Sequence, residues 1–167
     1  MLSSQAITSS SPHLLSIDLG LRFGWSCYDS EYKLIGYGSH HCGQANKLQT
    51  IAYKALKSLP TGSHLIVEGN SELYKHWQKN AQKHQINLRQ IYAEQWRKDC
   101  LSLKEQSDAK SAKEAAIKLA KHLIKRQSGQ GAHSLRHDAA EACLMGWWGL
   151  VQIGWLSEAE FKQALKI

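Results

Sequence analysis

The apolar residues of this 167-residue chain fall into short runs in its first half and into longer helical patterns in its second half. Short apolar runs bounded by turn residues are typical of strands, whereas apolar residues that recur every third or fourth position indicate a helix. This pattern predicts strands at 14–18, 22–28, 33–41, 64–68 and 88–93. It predicts helices at 44–58, 71–84, 108–125 and 135–153, and a short final helix that begins at Ser157.

The order of these elements defines the predicted fold. Three closely spaced strands come first and suggest an antiparallel meander, after which strands alternate with helices. We therefore expect an α/β fold in which one five-stranded mixed sheet carries helices packed on it. The nearly all-apolar helix at 135–153 is expected to be buried, and the stretch Trp96-Arg97-Lys98 after the fifth strand is interpreted as a basic loop.

The same pattern divides the chain into three parts. Residues 1–13 are polar and Ser-rich and are predicted to be a disordered tail, residues 14–156 form one domain, and residues 157–167 form a short C-terminal helix. Ser157 and Glu160 have the spacing of a capping box at the start of that helix. We see no apolar run of the length that a membrane-spanning helix needs.

Charge and cysteine content indicate the kind of partner and the cellular compartment. The chain has 21 Lys and Arg residues against 14 acidic residues, a net charge of +7, which favours a polyanionic partner such as nucleic acid. Its four cysteines are scattered and form no CxxC pair, so neither a zinc site nor a disulfide framework is indicated. We expect reduced thiols and a cytoplasmic protein, associated with the nucleoid through DNA, with an organellar location left open.

Acidic residues occupy positions in apolar elements where apolar residues are expected. Asp18 ends the first strand and Glu68 ends the fourth. Asp138 and Glu141 lie three residues apart on one face of the long apolar helix. Each has an ordinary explanation, since Asp18 can cap a turn, Glu68 can belong to a strand-to-helix turn, and Glu141 can pair with Arg136 or a lysine.

Taken together, these acids predict a metal site. Carboxylates on a buried face repel one another unless a cation lies between them. A pair of divalent cations neutralises such a cluster and also hydrolyses phosphodiesters. Oxygen-only ligands favour Mg²⁺ or Mn²⁺ over zinc.

Three segments of the sequence resemble a known family. IDLGLRFGW (17–25), LIVEG (65–69) and HDAAEACLMGWWGL (137–150) are similar to the first strand, fourth strand and last helix of the RNase H-like nucleases, most closely the RuvC-type Holliday junction resolvases. The similarity in element order extends from residue 14 to about 153. It implies an RNase H-like nuclease domain at 14–156 and a Mg²⁺-dependent endonuclease that cuts four-way DNA junctions as a homodimer in recombination and repair.

The resemblance also implies roles for individual residues. Asp18, Glu68, Asp138 and Glu141 would hold two Mg²⁺ ions, for which Mn²⁺ substitutes, with Asp18 bridging both. One cation would activate water while the other stabilises the leaving 3′ oxygen. Glu141 stands where an aspartate is common in the family, so this ligand is longer by one methylene. Lys98 would lean toward the acids as a further catalytic residue that stabilises phosphorane charge.

Basic residues are the implied DNA contacts. Lys98 and Lys113 fall at the positions most similar to lysines that touch the DNA backbone in resolvases. Weaker candidates for phosphate contacts are Arg22, Arg97, Lys104 and Lys110. A solvated helix face explains any one of these lysines equally well.

One departure from the family concerns the loop after Glu68. Resolvases of this type often place there an aromatic residue that wedges into the junction, whereas this chain has Gly69-Asn70-Ser71. The nearest aromatic residues, Tyr74 and Trp77, are expected to pack the following helix.

Two other functions stay open: an RNase H-fold nuclease that acts on RNA, and a nucleic-acid-binding module without catalysis. The sequence does not set the cleavage preference or a helicase partner.

Overall fold

The computed structural model describes residues 11–166, so residues 1–10 of the predicted tail lie outside the described part of the chain. The strands are β1 (His13–Asp18), β2 (Arg22–Asp29), β3 (Leu34–His41), β4 (His64–Glu68) and β5 (Asn87–Ile91). The helices are α1 (Ala45–Lys57), α2 (Tyr74–Lys83), α3 (Ala93–Cys100), α4 (Ala109–Ser128), α5 (His137–Gln152) and α6 (Glu158–Ala164).

The strands form one five-stranded sheet in the order β3-β2-β1-β4-β5. Strands β1, β2 and β3 are antiparallel neighbours, whereas β4 runs parallel to both β1 and β5. The predicted mixed sheet, with its initial meander, is therefore confirmed.

Side chains alternate along each strand, so the sheet has two apolar faces, and helices cover both of them. In β1, Leu15 and Ile17 join a core cluster with residues of α1 and α2. Leu14 belongs to the opposite cluster, with residues of α3, α4, α5 and α6. By this alternation the even-numbered residues of β1, including Asp18, lie on the α5 side.

Helix α5 rests directly on the sheet and is held there by polar contacts. All its residues from Asp138 to Leu150 are buried, as the apolar pattern predicts. The hydroxyls of Ser16 and Ser26 donate to the carbonyl oxygen of Ala142 at 2.8 and 2.9 Å, and Tyr28 Oη donates to that of Cys143 at 2.9 Å. These bonds fix the axial position of α5 relative to β1 and β2.

The prediction of a basic loop at 96–98 is wrong, because these residues lie within α3. The helix begins at a reciprocal pair of hydrogen bonds, in which Tyr92 N–H donates to the Gln95 side chain at 2.8 Å and Gln95 N–H donates to the Tyr92 carbonyl at 3.0 Å. Trp96 is the one buried residue of α3, so the sequence has no apolar periodicity there. The helical turn directs Trp96 and Arg97 toward the carboxyl end of the strands.

Other local expectations are confirmed. Ser157 and Glu160 form the capping box at the start of α6. Trp77 is fully buried in α2, as expected for a residue that packs its helix. Among residues 11–166, we find no helix with the length and apolar character to cross a membrane.

Candidate active site

Two carboxylates end neighbouring parallel strands. Asp18 is the last residue of β1 and Glu68 the last residue of β4, and the two are direct partners in the strand register. Val67 belongs to the cluster beneath α1 and α2, whereas Ile66 belongs to the α5 side, so Glu68 projects to the α5 side as Asp18 does. The register therefore places the two acids side by side at one sheet edge.

Two further acids come from the start of α5. Asp138 and Glu141 are only 4% and 5% exposed. Gly24, which pairs with Asp18 across β1 and β2, lies directly beneath the backbone of Asp138. The first turn of α5 thus sits beside Asp18, and the helix brings its acids to the same end of the sheet.

The four acids are close enough to influence one another electrostatically. Burial, and then the charges of Glu141, Glu68 and Asp138, raise the pKa of Asp18 to about 8, against a smaller opposing effect of Arg97. Burial also raises the pKa of Glu68, while its hydrogen bond from Trp96 and the charge of Arg97 act in the other direction. Among residues 11–166, we find no side chain or backbone group that donates a hydrogen bond to the Asp18 carboxylate.

The raised pKa of Asp18 has a consequence for stability. We expect Asp18 to contribute less to the stability of the protein in chelator as the pH rises from about 4 to about 8. The unfolded chain ionises Asp18 near 3.8, whereas the folded protein keeps this proton up to a pH of about 8. The folded state then binds more protons in this window, so the contribution of Asp18 to the unfolding free energy falls by up to about 1.4 kcal/mol per pH unit.

Urea unfolding at pH 5 and pH 8 in EDTA measures this effect. Asp18→Asn should be more stable than the wild type at pH 8, and the difference should shrink at pH 5. A stability difference that is the same at both pH values would contradict the raised pKa of Asp18.

The other three acids each have a fixed partner. Trp96 Nε1 donates to Glu68 Oε2 at 2.5 Å, and Ser39 Oγ donates to Asp138 Oδ2 at 2.7 Å. Arg136 Nε lies 3.6 Å from Asp138 Oδ2. Arg97 Nη2 forms a 2.5 Å ion pair with Glu141 Oε1, so the basic partner of Glu141 is neither Arg136 nor a lysine.

Sequence reasoning missed two of these residues. Ser39 lies on β3, far from the acids in sequence, and nothing in its surroundings distinguishes it from other serines. Trp96 gave no clear signal, because Tyr92 is not a residue type that ordinarily caps a helix and α3 has no apolar periodicity.

We expect Trp96→Phe to weaken the site specifically. Phenylalanine fills most of the buried volume but cannot donate to Glu68, and loss of such an orienting bond typically costs about 10- to 100-fold in metal affinity or activity. Trp148→Phe is a matched control, because Trp148 Nε1 donates to Asp99 Oδ2 at 2.8 Å and not to any of the four acids. Both variants should lower the melting temperature, and only Trp96→Phe should reduce Mn²⁺ affinity in calorimetry. Equal Mn²⁺ affinity in the two would contradict this role.

The oxygen donors of the four acids suit a hard divalent cation, although the acids are not arranged as a complete set of ligands around one ion. No group of three or more His, Cys, Asp or Glu side chains within residues 11–166 is spaced to hold one ion. Mg²⁺ usually binds one or two protein carboxylates and keeps several waters, so three or more protein ligands are not required. Asp18 and Glu68 supply that number from adjacent strands, and Asp138 and Glu141 lie within electrostatic reach.

Lys98 lies elsewhere than its predicted catalytic role requires. It lines a cavity with Trp148 and Gln152 of α5 and Phe161 of α6. Trp148 is about 15 Å along the helix axis from Asp138. Arg97, rather than Lys98, faces the acids because residues 96–98 are helical and successive side chains point in different directions.

Two of the other predicted basic residues lie near the start of α5. Lys110 and Lys113 border a shallow pocket with His137, the residue before Asp138. Arg22 is exposed at the start of β2, and Lys104 is exposed in the loop between α3 and α4. All four side chains are exposed to solvent.

Comparison with known proteins agrees with this arrangement at the level of fold. No protein-family model and no curated protein sequence matches the chain. Among solved structures, T. thermophilus RuvC in complex with a Holliday junction substrate matches with a TM-score of 0.60 and 11% identity. The alignment covers 86% of this chain and 97% of that RuvC chain. The chain therefore has the RuvC-like, RNase H-like fold that its sequence predicts.

Proposed function

We propose that this protein is a divalent-metal-dependent endonuclease that cuts four-way DNA junctions by phosphodiester hydrolysis. The observation that carries the proposal is the register pairing of Asp18 with Glu68, on the sheet face where α5 presents Asp138 and Glu141. Acids buried beside Asp18 raise its pKa and are costly to fold, and a cation site at the edge of a sheet gives them a function.

Each acid has a role in this proposal. Asp18 is the central ligand, because it interacts with the other three carboxylates. Glu68 is oriented by Trp96, and Asp138 by Ser39. When bound, two Mg²⁺ ions supply an activated water on one side of the phosphate and charge neutralisation at the leaving 3′ oxygen on the other, and Mn²⁺ can replace them.

Basic residues support DNA as the substrate. Lys110 and Lys113 lie beside His137 at the start of α5, Arg22 and Lys104 are exposed, and the chain as a whole carries a net charge of +7. Contacts of this kind fix the register of a duplex without reading its sequence. The neighbouring structure, RuvC, is solved with a Holliday junction, and this protein is proposed to take the same class of substrate.

A homodimer is part of the same proposal. Resolving a four-way junction takes two cuts related by two-fold symmetry, and each chain supplies one acidic cluster. A two-fold dimer provides both centres in that relation. Association with DNA would keep such an enzyme with the nucleoid.

A cleavage assay with matched substrates tests this function. Purified protein with Mg²⁺ should cut a four-way junction faster than a flap, an RNA–DNA hybrid or a structured RNA of equal length. Preferential cleavage of the structured RNA would establish the RNA-processing alternative. Binding without cleavage of any substrate, with either Mg²⁺ or Mn²⁺, would leave a non-catalytic module.

A further inference from the structure

Arg97 is a half-buried cation that pairs with one of the four acids. Its Nη2 pairs with Glu141 Oε1, and the two side chains are only 27% and 7% exposed. The guanidinium also lies over the ring of Trp96, at 5.4 Å from its centroid. Its charge opposes the rise in the pKa of both Asp18 and Glu68, so it acts on three of the four acids.

The guanidinium is incompletely satisfied in this position. Arg97 Nε is buried and has no hydrogen-bond partner among the described residues. Arg97 also borders a cleft with Gln106 and Ala109, between α3 and the start of α4. The side chain thus has an unused donor and adjacent space into which it can move.

We infer that Arg97 and a divalent cation compete for Glu141. Arg97 neutralises this carboxylate when no cation is bound, and a cation that takes Glu141 must displace the guanidinium. The displaced guanidinium then has its donors free for a phosphate oxygen, which a planar fork binds well. The inference rests on the proposed function only in assuming that the acids take a divalent cation.

Competition predicts a measurable effect on metal affinity in the absence of DNA. Mn²⁺ titration of the full chain by isothermal calorimetry should show the weakest Mn²⁺ site tightening at least about tenfold in Arg97→Gln, since this removes the competing cation from a buried pair. Arg126→Gln is the matched control, because Arg126 is exposed in the last turn of α4. That variant should bind Mn²⁺ as the wild type does.

A double-substitution cycle separates competition for Glu141 from a general effect of charge. In a Glu141→Gln background, Arg97→Gln should no longer tighten Mn²⁺ binding, because the shared carboxylate is gone. If Arg97→Gln tightens binding equally in both backgrounds, the inference is overturned. It is also overturned if neither the wild type nor Arg97→Gln binds Mn²⁺.

Arg97→Lys and a separate cleavage assay complete the experiment. If Arg97→Gln does not fold, Arg97→Lys replaces it, since the shorter side chain reaches Glu141 less well and should also tighten Mn²⁺ binding; unchanged affinity would refute competition. Cleavage is measured separately on the four-way junction. If Arg97→Gln tightens Mn²⁺ binding but no substrate is cleaved, the proposed function is refuted and this inference stands. If the junction is cleaved but Arg97→Gln leaves Mn²⁺ affinity unchanged, this inference is refuted and the proposed function stands.

Discussion

Asp18→Asn should abolish junction cleavage while leaving junction binding intact. Asparagine keeps the size of the side chain but removes the charge that the other three acids surround. We expect a loss of about a thousandfold or more in cleavage rate, the scale on which removal of one preorganised charge-stabilising group acts. Affinity for DNA, measured by fluorescence anisotropy, should stay the same in EDTA below pH 8, where Asp18 is already protonated. In Ca²⁺, where a bound cation keeps Asp18 ionised in the wild type, it should stay the same or rise.

Asp29→Asn is the matched control for this variant. Asp29 ends β2 opposite His13, at the other end of the sheet from Asp18. Its Oδ1 accepts hydrogen bonds from the backbone of Glu31 and Lys33, which an asparagine oxygen can also accept. Cleavage by Asp29→Asn should match the wild type. Wild-type cleavage by Asp18→Asn would refute the site assignment.

Gly24→Ala should destabilise the fold and disable the site together. A methyl group at Gly24 would overlap the Asp138 carbonyl and lie 2.7 Å from the backbone nitrogen of Ala139. Backbone atoms cannot rotate away as a side chain can, so the first turn of α5 must lift from β2. Overpacking of this kind costs about 1–3 kcal/mol or more, and the shift would carry Asp138 and Glu141 away from Asp18.

Gly131→Ala provides the control for a glycine substitution. A methyl group at Gly131 would meet no atom within 4 Å, so urea unfolding and cleavage should both stay near wild-type values. For Gly24→Ala we expect a lower urea midpoint and a cleavage rate reduced even at temperatures where the variant is folded. Full activity in a folded Gly24→Ala would show that the spacing of α5 from β2 does not matter to the site.

Alternation and strand order made most of the fold predictable. A run that ends in Asp18 and another that ends in Glu68 are strong strand signals, and the structure has β4 at the predicted bounds, His64–Glu68. The apolar stretch around Asp138 and Glu141 predicts a buried helix, which in an α/β fold packs against the sheet. These positions, together with the resemblance, were enough to place the acids in one group.

Helix α3 was not predictable in the same way, because one buried residue gives no periodicity. Its orientation decides which basic residue faces the acids, so Lys98 was favoured for a place that Arg97 occupies. Ser39 and Trp96 contact the acids only through tertiary packing, which local sequence does not specify. The sequence therefore predicted that these acids lie near one another but not which partners orient them.

The most direct measurement is anomalous diffraction from crystals soaked in Mn²⁺. We expect a manganese peak at the end of β1 and β4, coordinated by Asp18 and Glu68, with oxygens of Asp138 or Glu141 completing the site. Arg97 should then have left Glu141. Crystals at saturating Mn²⁺ with no peak near Asp18, and with Glu68 still bound to Trp96 and Glu141 to Arg97, would contradict a metal-dependent nuclease site.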